Sequence, residues 1–115
     1  MDDAPVLALS TAPNADVAAR LARALVDRRL AACVNVIDGV RSFYRWQGEV
    51  EDEAELQLLI KTRWSHLEGI EELLADEHPY DVPELLVLPI QGGADRYLEW
   101  LKASTAPRGA PVPVR

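Results

Sequence analysis

The chain has 115 residues, 49% of them hydrophobic and 27% charged, which is the size and composition of one globular domain. Its formal net charge of −7 has the wrong sign for binding a nucleic-acid backbone or an anionic membrane surface, so we expect neither partner. Cys33 is the single cysteine, which excludes an internal disulfide, and the first residues lack the pattern of a signal peptide. We therefore expect a cytoplasmic protein.

The first part of the chain predicts a strand followed by a helix. Residues 6–9 form a short apolar run that ends at a turn-forming Thr-Ala-Pro-Asn segment, which favours a buried strand. Asn14 is suited to cap a helix. From Val17 onward, apolar residues recur every four positions to about Arg29, which indicates an amphipathic helix.

Two long alternating segments then predict a β-hairpin. Apolar and polar residues alternate over residues 32–46 and again over 50–60, and Gln47-Gly48 between them is a turn signal. Asp38-Gly39 interrupts the first alternation and predicts a β-bulge. Arms of this length reach ~45 Å, whereas a domain of this size has a radius of gyration of ~13 Å. We therefore expect the hairpin to overhang the body and to be covered by another subunit.

The second half predicts a helix, a strand and a further helix. Ser65 opens a capping-box pattern, and Pro79 ends the helix that follows it. Residues 84–90 predict an apolar strand, and Asp95 to about Ser104 predict the last helix. The domain then covers residues 1–104. Residues 105–115 are proline-rich with almost nothing to bury, so we predict a disordered tail.

This order of elements predicts an α+β sandwich of the ferredoxin-like βαββαβ type, with a long hairpin and an extra C-terminal helix. Right-handed crossovers place the first and second strands parallel, with the third between them and the fourth beyond the first. The topology brings polar and aromatic groups of three segments to one end of the sheet, which is the best candidate for a site: Ser10, Thr11, Trp46, Gly48, His78, Tyr80 and Glu84.

Several residues have two interpretations. His78 is either a metal or ligand group, with Glu77 or Glu84 as partners, or a helix-terminal residue that favours the dipole. Cys33 is either a soft-metal ligand or a small packed side chain. Tyr44 and Trp46 either stack on a ligand or pack in an interface.

The acidic run over residues 49–55 is interpreted as a solvated strand face, because it lacks the spacing of a calcium loop. No nucleophile with an adjacent base, metalloprotease motif or phosphate-binding loop is present in the sequence. We predict that the protein is not an enzyme.

Several motifs in order resemble the CutA family, the divalent-cation-tolerance proteins. They are Leu-Ala-Ala-Cys-Val-Asn-Val-Ile-Asp-Gly-Val-Arg-Ser at residues 30–42, Tyr-Arg-Trp-Gln-Gly at 44–48, Leu-Ile-Lys-Thr-Arg at 59–63 and His-Pro-Tyr-Asp-Val-Pro-Glu at 78–84. The resemblance runs from about Val6 to Ser104. It implies a ferredoxin-like subunit of a homotrimer, similar in architecture to the PII signal proteins, and an association with copper and other divalent ions.

The resemblance also implies a ligand set. The family's copper site is described as a cysteine that ends the first strand and two adjacent histidines before Pro-Tyr. Those positions are Ser10, Glu77 and His78 here, and only His78 keeps its ligand type. We expect weak binding of Cu(II) or another divalent cation, mainly through His78, with Glu77, Ser10 and Cys33 as weaker candidate ligands.

Two functions therefore lead. The first is a trimeric protein of divalent metal tolerance or response. The second is a PII-like small-ligand sensor or interaction module that uses clefts between subunits, and an enzyme in the same clefts is a third hypothesis. The candidate cleft or interface residues are Trp46, Tyr44, Tyr80, Glu84 and Lys61.

Overall fold

The structure is a computed structural model that describes residues 3–107. In that part of the chain it contains four strands, three α-helices and one 3-10 turn. Their bounds are β1 Pro5–Ala12, α1 Ala15–Asp27, β2 Cys33–Trp46, β3 Glu49–Arg63, the 3-10 turn Trp64–His66, α2 Leu67–Glu77, β4 Leu86–Pro89 and α3 Asp95–Ser104. The predicted strands and helices are all present in the predicted order. None of the described helices is long and apolar enough to cross a membrane.

The four strands form one antiparallel sheet in the order β2-β3-β1-β4. Because β3 pairs with both β1 and β2, these two strands run parallel on either side of it. β4 pairs with the free side of β1. The arrangement confirms the predicted ferredoxin-like fold. β4 is shorter than predicted, since it begins at Leu86, and Glu84 therefore belongs to the loop before it.

The hydrophobic core lies between one face of the sheet and helices α1 and α2. Asn14 caps α1 as predicted, since its Oδ1 accepts a hydrogen bond of 2.9 Å from the Val17 amide. The four-residue repeat of α1 buries Leu21 and Leu25. They pack with apolar side chains of β1, β3 and α2: Ala8, Ala12, Leu58, Ile60, Ile70, Leu73 and Leu74. Full burial of one such large aliphatic side chain contributes about 1.5–3 kcal/mol to folding.

The hairpin of β2 and β3 extends beyond the rest of the sheet, as predicted. β1 pairs with β3 only as far as the Ala12–Leu56 pair. Residues 40–46 and 49–55, called the hairpin arms below, pair with each other and with no other described strand. Gly39, with a φ of 79°, lies in the register shift between β2 and β3, which confirms the predicted bulge. The molecule is consequently elongated, with extents of 47, 27 and 26 Å.

The second face of the sheet is covered at one end by α3. There the Lys61 ammonium of β3 lies 6.0 Å from the centre of the Tyr97 ring. The remainder of this face, called the open face below, carries apolar side chains that no other described element covers. Ile37, Leu86 and Leu88 are exposed on it. The strand register places all three on the side of the sheet that faces away from α1 and α2.

The start of α2 differs from the predicted capping box. Trp64–His66 form a 3-10 turn, and α2 begins at Leu67 without a side-chain cap. Ser65 instead donates from its backbone N–H and its Oγ to the Asp3 carboxylate, at 2.8 and 2.7 Å. Burial alone would raise the pKa of Asp3, but the hydrogen bonds from Ser65 and Arg63 outweigh it and lower that pKa. A contact with the N-terminal segment thus replaces the local cap.

Packing continues past Ser104, the predicted end of the domain. Thr105 keeps only 1% of its surface exposed. Its Oγ1 accepts a hydrogen bond of 2.8 Å from Arg63, and its carbonyl oxygen lies 2.7 Å from Nε2 of His66. Thr105 therefore belongs to the packed body and not to the predicted tail. The predicted disorder of residues 108–115 lies outside the described residues.

Truncation after Ser104 should lower the midpoint of thermal unfolding, whereas truncation after Pro107 should leave it nearly unchanged. The shorter chain lacks Thr105, so Nε of Arg63 and Nε2 of His66 each lose a hydrogen-bond partner. We expect this to lower the free energy of unfolding by about 1–3 kcal/mol. Circular dichroism melts of both truncations beside the full chain, at equal protein concentration, measure the difference. Equal midpoints in all three chains would contradict this assignment of Thr105.

Candidate ligand-binding cavity

A cavity of about 820 Å³ lies between the hairpin and the loop that joins α2 to β4. Residues 42–46 of one hairpin arm and residues 79–84 of the loop form its walls, and Thr11 and Glu55 line it from β1 and β3. Small-molecule sites commonly have volumes of about 300–1,000 Å³. Four of the lining residues are aromatic: Phe43, Tyr44, Trp46 and Tyr80. Strand alternation places Tyr44 and Trp46 on the same side of the hairpin as Glu55, and Phe43 on the opposite side.

His78 attaches the loop to the end of β1. The residue is 7% exposed, and its two ring nitrogens both have backbone partners. Nδ1 accepts a hydrogen bond of 3.1 Å from the Tyr80 amide, so the proton is on Nε2, which donates to the Thr11 carbonyl at 2.7 Å. The His78 and Tyr80 rings also contact each other, with centres 4.8 Å apart. His78 is therefore a buried anchor of the loop, at the helix end where the sequence places it.

Tyr80 and Glu55 make a second attachment between the loop and the sheet. The Tyr80 hydroxyl donates to Oε2 of Glu55 at 2.8 Å. Burial of Tyr80 and its bond to the Glu55 carboxylate raise the pKa of the phenol, so the hydroxyl keeps its proton at neutral pH. Glu55 itself is 6% exposed. The interpretation of residues 49–55 as a solvated face is thus wrong for Glu55, because the loop folds over it.

Gln57 links the same loop to β1. Its Nε2 donates to the Ser10 carbonyl at 2.7 Å and lies 3.4 Å from a carboxylate oxygen of Glu84. Glu55 and Gln57 of β3 and His78 at the end of α2 therefore fix the loop, and their hydrogen bonds position the cavity wall that contains Tyr80.

Four of the five predicted cleft residues line this cavity. They are Tyr44, Trp46, Tyr80 and Glu84. The fifth, Lys61, lies elsewhere, against Tyr97 of α3. The sequence gives no local signal for Glu55, because its neighbours Glu51 and Glu53 share its alternation and differ only in what packs over them.

The predicted metal ligands besides His78 have the following surroundings. The Ser10 side chain is buried on the helix-facing side of the sheet, and its Oγ has no hydrogen-bond partner among the described residues. The Glu77 carboxylate lies 3.7 Å from the Arg28 guanidinium. Cys33 lies beside Lys61 in the register of β2 and β3. Across residues 3–107, no three or more His, Cys, Asp or Glu side chains are grouped to hold a metal ion.

Comparison with known proteins gives one consistent result. Residues 6–104 match the family model described as CutA1 divalent ion tolerance protein. The chain is 49% identical over 108 residues to the divalent-cation tolerance protein CutA of Pectobacterium atrosepticum, covering 90% of this chain and 98% of that protein. It is 50% identical over 95 residues to protein CutA, chloroplastic, of Arabidopsis thaliana, covering 83% of this chain but only 52% of the Arabidopsis protein. The chain thus spans about half the length of that plant relative.

The fold agrees with a solved structure. The divalent cation tolerance protein Cut A1 from Thermus thermophilus superposes with a TM-score of 0.86 at 46% sequence identity. The superposition covers 89% of this chain and 99% of that one. The likeness therefore includes both the sequence and the fold over almost the whole described chain.

Replacing Tyr80 by Phe should destabilise the protein by about 1–3 kcal/mol, because it removes the hydrogen bond that the buried Glu55 carboxylate accepts. Tyr44→Phe is the matched control: Tyr44 is exposed on the hairpin arm, and a surface change of this kind stays within about 0.5 kcal/mol. Urea unfolding of both variants, at the protein concentration of the unmodified chain, measures the difference. Similar losses for the two variants would contradict an anchoring role of the Tyr80 hydroxyl.

Proposed function

The chain belongs to the CutA1 divalent ion tolerance family, and we propose that it acts in divalent-cation tolerance or response as a homotrimer. The family resemblance supplies the number three. The observation that supports assembly is the uncovered apolar surface of the single subunit, which includes the open face and the hairpin arms. Large contiguous apolar patches on a monomer indicate an interaction site.

The two uncovered surfaces suit contacts between copies of the same chain. Leu86 and Leu88 are 58% and 47% exposed on the open face, beside Ile37 at 46%. On the arms, Phe43 and Val50 are 64% and 65% exposed. The arms also leave one edge of β2 unpaired over its whole length in the described structure. Burial of these groups against a second and third copy removes both the apolar surface and the free strand edge.

Leu88→Glu should convert the assembly to smaller species, because it places a charge in the proposed contact. Val26→Glu is the control, since Val26 is similarly exposed at 43% but lies on α1, away from the open face. Light scattering after size exclusion should give about three times the 12.7 kDa chain mass for the unmodified protein and for Val26→Glu. A monomeric unmodified protein at micromolar concentration overturns the proposed trimer.

The proposed metal interaction is weak and involves mainly His78, with Cu(II) as the first ion to test. Imidazole is a good ligand for Cu(II). In this subunit, however, both ring nitrogens of His78 already bond to backbone groups, so a metal must displace the Tyr80 amide or the Thr11 carbonyl. The Glu77 carboxylate is beside Arg28. These competing contacts are the reason for expecting low affinity.

Calorimetric titration of the metal-free protein with Cu(II) tests this point. We expect weak binding that decreases in His78→Ala. His66→Ala is the control, because His66 is the other histidine and bonds to Thr105 near the C-terminal end of α3. Tight stoichiometric binding that persists in His78→Ala would place the metal site elsewhere.

The second candidate function is a small-ligand sensor or interaction module, and the cavity is the observation that favours it. Four of the predicted cleft residues converge there around a buried carboxylate. The Pectobacterium relative is named as a tolerance protein, and the absence of enzymatic activity in this chain remains a prediction. A cytoplasmic location also remains a prediction, since the Arabidopsis relative is named as chloroplastic.

A further inference from the structure

We propose that the cavity binds a small organic cation, meaning a primary ammonium or guanidinium compound with an apolar body. This inference deepens the second candidate function and rests on it, because the cavity must first be a ligand site. The inference is supported by a buried carboxylate with an unpaired oxygen, by aromatic walls and by the negative charge of the lining.

Glu55 provides a carboxylate that is already shielded from solvent. Its Oε2 accepts the hydrogen bond of Tyr80, while Oε1 has no hydrogen-bond partner among the described residues and is not fully buried, so a group inside the cavity can reach it. The residue is 6% exposed and lines the cavity. A buried carboxylate is unfavourable unless a positive group or several donors satisfy it. A cationic N–H group inside the cavity would form the missing charge-assisted hydrogen bond.

Most of the charged residues that line the cavity with Glu55 are also acidic. Asp81 and Glu84 add two carboxylates to the lining, and Arg45 is the one basic residue that contributes to it within the described chain. Three carboxylates and one guanidinium give the lining a formal net charge of −2. Glu84 is only weakly engaged, since Gln57 approaches its carboxylate no closer than 3.4 Å. The local field therefore favours a cation and opposes an anion.

The aromatic walls suit an organic cation. Tyr44, Trp46 and Tyr80 line the cavity on the side where Glu55 lies. A cation over the face of such a ring gains about 0.5–2 kcal/mol, with the larger values in desolvated sites. The rings also cover the apolar part of a ligand, and the volume of about 820 Å³ accommodates a small molecule.

A bare divalent ion fits the same lining less well. Calcium takes about six to eight oxygen ligands, and magnesium requires octahedral geometry. Within residues 3–107, no three acidic or other metal-binding side chains are grouped around one point. Aromatic faces supply no such ligands. The carboxylates and the rings together match a cationic organic group instead.

Three probes with the same apolar body test the proposal: 2-phenylethylamine, which is a cation at neutral pH, the neutral 2-phenylethanol and the anion 3-phenylpropionate. Each is titrated at constant ionic strength into the full-length protein. Trp46 lines the cavity, so tryptophan fluorescence follows binding, and the thermal midpoint is measured in parallel. We expect the amine to bind at least about tenfold more tightly than the neutral probe, and the anion not to bind.

Variants that remove one carboxylate charge test whether the amine binds beside Glu55. Glu55→Gln keeps an acceptor for the Tyr80 hydroxyl but removes the charge, and it should weaken amine binding by about tenfold. Glu72→Gln is the control, with the same charge change at an exposed position of α2 that does not line the cavity. If Glu55→Gln does not fold, Glu84→Gln, at a partly exposed cavity residue, makes the same test and should also weaken binding.

The outcomes separate this proposal from the function on which it rests. Equal binding of the three probes would overturn the preference of the cavity for cations and would leave the ligand-sensor function standing. Binding of no probe would overturn both the cation proposal and the ligand-sensor function, and is the result expected if a neighbouring subunit fills the cavity. Amine binding that Glu55→Gln and Glu72→Gln weaken equally would place the amine outside the cavity.

Discussion

The hairpin arms and the cavity both result from the unequal lengths of the strands. β1 ends at Ala12, opposite Leu56, whereas β2 and β3 continue together as the hairpin arms. The arms have each other as hydrogen-bond partners but have no helix layer over them in the described chain. They therefore expose aromatic and aliphatic side chains, and they form one wall of the cavity. The same length difference thus produces the surface proposed for assembly and the space proposed for a ligand.

The other wall depends on three polar attachments of one short loop. His78 bonds to β1, Tyr80 bonds to Glu55 of β3, and Gln57 bonds to β1 while approaching Glu84. Any ligand that takes a ring nitrogen of His78 must break a bond that positions this loop. Metal binding at His78 and the shape of the cavity are therefore physically connected, because both depend on the same buried hydrogen bonds.

The two proposed ligand classes share a charge sign. The chain carries a formal charge of −7, and the cavity lining is negative as well. An acidic protein attracts cations over several ångströms, with a range limited by salt to about 8–10 Å. General attraction does not distinguish a metal ion from an organic cation. The distinction comes from short-range groups: an imidazole for Cu(II), and a carboxylate beside aromatic rings for an ammonium or guanidinium group.

The order of the elements, the ferredoxin-like topology, the hairpin with its bulge at Gly39 and the family could all be predicted from the amino-acid sequence, because alternation, turn residues and contiguous motifs are local signals. Which residues of a uniform sequence pattern are buried depends instead on tertiary contacts. Glu55 looks like the other acidic residues of its strand until the loop covers it, and Thr105 looks like the proline-rich tail until Arg63 and His66 bind it. Ser65 matches a capping box, yet Asp3 takes its hydrogen bonds. In each case the deciding partner is distant in the chain, so no local pattern contains it.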